Sequence, residues 1–88
     1  MSYRVILSEE VIVALKKMDR AMSARIYSWI RKNLEGCENP RRTGKALVGN
    51  QSGEWRYRIG DYRLLARIED DVVTIYIFEV GHRSTVYD

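Results

Sequence analysis

From Glu54 onward the hydrophobic pattern of this chain repeats every two residues, which restricts the C-terminal part to successive β-strands. Glu54 to Ile59, Tyr62 to Glu69 and Val72 to Val80 read as three strands in a row. Gly60-Asp61 has the composition of a two-residue hairpin loop, and Asp70-Asp71 is assigned the same role. With both loops that short, Ile59 faces Tyr62, Tyr57 faces Leu64 and Trp55 faces Ala66. In the second hairpin Ile68 meets Val73, Ala66 meets Ile75 and Leu64 meets Ile77. One face then carries Trp55, Tyr57, Ile59, Leu64, Ala66, Ile68, Val73, Ile75 and Ile77, an apolar surface that another layer has to cover.

The preceding segment supplies that layer. Tyr3 to Leu7 reads as a strand, and Ser8 is a helix cap followed by Glu9 and Glu10, where the helix dipole favours acid. Val11, Ala14, Leu15 and Met18 form the buried stripe of this first helix. Asp19 caps a second helix that runs to about Glu35, with Met22, Ile26, Trp29, Ile30 and Leu34 on its apolar side and Gly36 as its stop. Asn39 to Gly53 holds the only proline and three of the six glycines, and reads as a loop with a short strand at Ala46, Leu47 and Val48. The expected fold class is α+β: an antiparallel sheet, made of the N-terminal strand and three or four C-terminal strands, packed against a two-helix hairpin. Residues 1–88 are expected to form a single domain.

Composition narrows the function classes. One cysteine, Cys37, excludes an internal disulfide and fits a reducing cytoplasm. One cysteine and one histidine cannot build a zinc site of those ligands, so neither a metal nor another cofactor is expected. No apolar run approaches the length of a membrane span, and the N-terminus lacks the apolar core of a leader peptide. The net charge of +3 favours an acidic partner, either nucleic acid or an acidic protein.

The location of the charge says more than its sum. The second face of the strands collects Arg56, Arg58, Arg63 and Arg67, with Leu65, Tyr76 and Phe78 among them. Arg58 stands directly opposite Arg63, an arrangement that costs a ladder a few tenths of a kcal/mol up to ~1 kcal/mol. Guanidinium groups bind phosphate in bidentate fashion and aromatic rings stack on bases, so the face suits single-stranded nucleic acid. The same charge pattern is equally compatible with a solvated sheet face that binds nothing. Arg41, Arg42 and Lys45 in the loop are further candidates for RNA contact.

After the last strand comes Gly81-His82-Arg83-Ser84-Thr85-Val86-Tyr87. Together with Trp55-Arg56-Tyr57-Arg58 and Gly60-Asp61-Tyr62-Arg63-Leu64, this ending resembles the RelE/ParE superfamily of toxin–antitoxin toxins, over nearly the whole chain. The resemblance implies a RelE-like fold and a toxin of a type II toxin–antitoxin system. Arg56, Arg58, Arg63, Arg83 and Tyr87 match the basic positions and late tyrosine of the RelE-type nucleases. Retention of Tyr87 favours them over the ParE-type toxins that inhibit DNA gyrase.

The implied activity is ribosome-dependent cleavage of translated messenger RNA by attack of the 2′-hydroxyl, leaving a 2′,3′-cyclic phosphate. Catalytic roles fall to Arg58, Arg63, Arg83, Tyr87 and His82, and RNA binding to Arg56, Arg67, Tyr76, Phe78, Arg41, Arg42 and Lys45. RelE-type enzymes commonly carry lysine where this chain has Arg56 and Arg58. Arginine does not give up its proton, so His82 and Tyr87 are the candidates for proton transfer. The implied partners are an antitoxin encoded next door, messenger RNA and ribosomal RNA, with operator DNA reached only through the antitoxin and no membrane. The rivals are the gyrase-directed toxin and a non-catalytic nucleic-acid-binding corepressor.

Overall fold

The computed structural model describes residues 1–47 and 54–82. Strand β1 (Arg4–Leu7) leads into helices α1 (Glu9–Lys17) and α2 (Arg20–Asn33), followed by strands β2 (Lys45–Ala46), β3 (Glu54–Ile59), β4 (Tyr62–Glu69) and β5 (Thr74–His82). The five strands form one sheet in the order β1-β5-β4-β3-β2. Neighbours among β2 to β5 are antiparallel, as the short loops require, whereas β1 pairs with β5 in parallel. The sheet is therefore mixed rather than wholly antiparallel. After β1 the chain crosses the sheet through both helices before it enters β2 at the opposite edge.

Both helix starts obey their caps. Ser8 Oγ accepts the amide of Val11 at 3.2 Å, and Asp19 Oδ2 accepts that of Met22 at 3.2 Å, each taking a donor that the first turn leaves without a helical partner. Gly36 then takes φ +79°, and the chain leaves α2 there. The helices bury Val11, Leu15, Ile26, Ile30 and Leu34 against Tyr57, Ile59, Leu64, Ala66, Ile75 and Ile77 of the sheet. Each large side chain so enclosed contributes roughly 1.5–3 kcal/mol.

The hairpin β3–β4 has the expected register, with Arg58 opposite Arg63 and Glu54 opposite Arg67. The hairpin β4–β5 does not. Asp70–Val72 form a 3₁₀ turn and Val73 is left-handed at φ 49°, so the connection is longer than Asp70-Asp71 alone. Ile68 accordingly faces Ile75, and Ala66 faces Ile77. That slip spans two residues of β5, which keeps Ile75 and Ile77 on the helix-covered side.

A bulge then follows. Leu65 pairs with Glu79 while Ala66 pairs with Ile77, leaving Phe78 as the extra residue. Beyond it the parity of β5 is reversed: Val80 and His82 share the helix-covered face with Leu64 and Tyr62, and Glu79 and Gly81 share the outer face with Leu65 and Arg63.

Candidate nucleic-acid interface

The outer face is built by the alternation of β3 and β4. Odd positions of β3 and even positions of β4 enter the core, so Arg56, Arg58, Arg63 and Arg67 emerge on the other side. Arg58 and Arg63 face each other across the ladder, and Lys45 faces Arg56, giving two like-charge pairs side by side. With Gly44 these four cations line a hollow of about 230 Å³. Arg63 is only 5% exposed, whereas Arg58 and Lys45 reach solvent. No carboxylate is among the described residues that line the hollow.

The loop ahead of β2 forms one side of this hollow, and tertiary bonds hold the loop in place. Tyr57 Oη donates to the Pro40 carbonyl at 2.6 Å, and Trp55 Nε1 donates to the Thr43 carbonyl at 2.7 Å. Burial pushes the Tyr57 phenol well above its ordinary pKa, so it remains a donor. Gly44 sits at φ +85°, and a Cβ there would collide with the Arg56 carbonyl and the Trp55 indole. Only glycine lets the chain pass so close to β3 and deliver Lys45 opposite Arg56.

Arg41 points elsewhere. Its guanidinium grips Asp70 with two bonds of 3.1 and 3.0 Å, and the Tyr3 hydroxyl donates to the same carboxylate. Hydrogen bonds from Arg41 and then Tyr3 hold the Asp70 carboxyl below the usual carboxylate range. This clamp ties the loop to β1 and to the β4–β5 turn. Arg41, expected to contact RNA, thus already has an acidic partner within the fold. Arg42 lines a different hollow, of about 550 Å³, with Lys32, Asn33, Cys37, Glu38, Asn39 and Thr43. Burial pushes the Cys37 thiol up, away from the reactive thiolate.

At the far end of the face Arg67 pairs with Glu54 at 3.5 Å and lies 5.6 Å from the centre of the Phe78 ring. Tyr76, its cross-strand neighbour, is half-buried beside it.

The expectation that His82 stands among the guanidinium groups is revised. The bulge at Phe78 places it opposite Tyr62, edge-on to that ring at 5.4 Å, on the face turned away from Arg63. Arg83 and Tyr87 lie outside the described residues, as does Val48 of the expected short strand. Sequence reasoning passed over two features: the Tyr3–Asp70–Arg41 clamp, whose members are far apart in the chain, and Glu79 on the outer face. An unpaired Phe78 leaves no mark in hydrophobic alternation, so Glu79 could not be placed from the sequence. Among the described residues no cluster of His, Cys, Asp and Glu could hold a metal, and no helix is long and apolar enough to cross a membrane.

Comparison with known proteins places these features in a family. Residues 5–87 match the model of the family described as ParE toxin of the type II toxin–antitoxin system parDE. The chain is 44% identical to Toxin RelG of Mycobacterium tuberculosis over 48 residues, 54% of this chain and 55% of that protein, so this match spans about half of each. The fold is similar to that in the crystal structure of the toxin–antitoxin complex RelBE2 of M. tuberculosis, with TM-score 0.81 and 31% identity over 96% of this chain and 94% of that one. The archaeal RelE–RelB complex of Pyrococcus horikoshii is also similar, with TM-score 0.72 and 27% identity over 98% of this chain and 100% of that one.

Proposed function

The chain belongs to the RelE/ParE superfamily of type II toxin–antitoxin toxins, and on that premise we propose that it is a RelE-type endoribonuclease that cuts translated messenger RNA on the ribosome. The observation that carries this reading is the hollow lined by Lys45, Arg56, Arg58 and Arg63, where like charges are opposed in adjacent pairs on the outer face of the sheet. A phosphate bound among these cations lowers their mutual repulsion and meets guanidinium groups in bidentate fashion. A phosphodiester brings two non-bridging oxygens that gain charge during transfer, and fixed guanidinium groups stabilise such charge without reorganising.

In the proposed reaction the 2′-hydroxyl attacks the adjacent phosphorus and the 5′-oxygen departs, leaving a 2′,3′-cyclic phosphate. Arg58 and Arg63 hold the non-bridging oxygens and Arg56 supports them. Arg83 is assigned to the leaving group, and Tyr87 to a base or a proton relay. His82 is not retained among the catalytic groups. Phe78 and Tyr76, beside Arg67, offer rings to the flanking bases. The ribosome supplies the alignment of the RNA that a site so rich in arginine does not provide for itself.

The solved relatives above are toxin–antitoxin complexes, which supports a cognate antitoxin as the physiological partner. Operator DNA is then reached through that antitoxin, and both RNA partners place the protein in the cytoplasm.

The family description names ParE, and this favours a second reading, a toxin directed at DNA gyrase. Brief expression in cells with mapping of messenger RNA 5′ ends separates the two. New ends clustered within translated codons, absent for Arg63→Ala, are the expected result. Intact messenger RNA with damaged DNA and halted replication would decide for gyrase.

A further inference from the structure

The bulge in β5 turns one carboxylate, Glu79, onto the guanidinium face, and we propose that this carboxylate accepts the 2′-hydroxyl proton in the cleavage reaction. The proposal rests on the nuclease reading above and supplies the base which that reading lacks.

Glu79 is placed by its neighbours. Ile77 is fully buried in the core, Phe78 lies against Arg67 on the outer face, and Val80 packs against the core again. Two consecutive residues, Phe78 and Glu79, therefore both emerge on the outer side, which strict alternation forbids and a bulge permits. Glu79 stands opposite Leu65 and is exposed. Arg63 stands opposite Gly81, so Glu79 is its diagonal neighbour, at a spacing of about 7–8 Å that long side chains bridge. The register thus sets Glu79 on β5 and Arg58 on β3 to either side of Arg63, and the proposal has the nucleotide span that width.

Other candidates are removed by chemistry or position. Guanidinium groups have no lone pair to accept a proton. His82 is on the opposite face. Glu54 is paired with Arg67, and Glu69 sits opposite Thr74 at the far end of β4. Among the described residues of the outer face, Glu79 is the carboxylate that adjoins the Arg58–Arg63 pair.

The step balances within the RNA and one carboxylate. The 2′-hydroxyl proton passes to Glu79 as the 2′-oxygen forms its bond to phosphorus. The bond from phosphorus to the 5′-oxygen breaks with its electron pair on that oxygen, which takes a proton from water. Protonated Glu79 returns its proton to solvent.

A carboxylate present for charge balance alone makes the opposite prediction, because removing it would strengthen RNA binding and leave or raise the rate. The test is single-turnover cleavage of a short messenger RNA on programmed ribosomes. For Glu79→Gln the rate constant should fall about 10²–10³-fold, within the range for a general base. The apparent affinity for the RNA-loaded ribosome should hold or tighten, Glu79→Asp should restore part of the rate, and thermal unfolding should be unchanged. An undiminished rate for Glu79→Gln beside an active wild type overturns the role of Glu79 alone. A wild type that leaves the RNA intact overturns the nuclease reading and this proposal with it.

Discussion

Arg63 and Arg67 occupy the same strand and the same face, yet they sit in different electrostatic surroundings. Arg67 pairs with Glu54 and rests against Phe78, and beyond it Arg41 is gripped by Asp70 and Tyr3. At the other end Arg63, 5% exposed, shares a hollow with Lys45, Arg56 and Arg58. One end of the sheet thus matches cation to anion in the usual way of a folded surface. At the other, two like-charge pairs stand opposed across the ladders, each at a cost of up to ~1 kcal/mol. Stability explains the first end. The role proposed for the second is to bind phosphate.

This contrast breaks most readily on activity. Arg58→Ala should lower ribosome-dependent cleavage about 10²–10³-fold, the usual cost of one transition-state donor. Arg67→Ala should weaken RNA binding within about tenfold. Comparable losses in both variants would show that the two ends are not functionally distinct.

Next in size is the glycine that positions the loop. Gly44→Ala should destabilise the fold by about 1–3 kcal/mol, since a side chain at positive φ must also displace the Trp55 indole or the β3 backbone. Denaturant unfolding measures this, and cleavage should fall along with stability as Lys45 leaves its place. Tyr57→Phe removes the hydroxyl that holds the Pro40 carbonyl and should cost about 0.5–1.5 kcal/mol by the same measurement.

The smallest effect belongs to the matched end. The Asp70 carboxyl is held below the usual carboxylate range, so the folded state favours its ionised form. Its contribution is complete above the unfolded value, near ~3.9, and is lost as pH falls through the lower folded value. Asp70→Asn should lower the thermal midpoint modestly at pH 7, because the pair is solvent-screened, and the gap from wild type should close in acid. A gap independent of pH would show that the clamp acts through packing and not charge.

Helices, caps and the β3–β4 hairpin were legible in the sequence because each depends on residues close together in the chain. Ser8 and Asp19 reach amides three residues ahead, and Gly60-Asp61 sets the register of Tyr57 against Leu64. The opposition of Arg58 and Arg63 follows from that same local turn. The β4–β5 register failed for a definite cause. Val73, a β-branched residue, adopts a left-handed conformation that its type disfavours, and nothing nearby marks Phe78 as unpaired.

The sequence by itself determined the two faces of β3 and β4 and the gathering of arginines on one of them, because side-chain direction in a strand follows from position modulo two once the turn is set. Tertiary structure alone decided that β1 runs parallel beside β5, that Asp70 holds Arg41 and Tyr3, and that Glu79 rather than His82 shares a face with Arg63. Those outcomes depend on where distant segments meet and on a single extra residue in β5, and residue-by-residue alternation encodes neither.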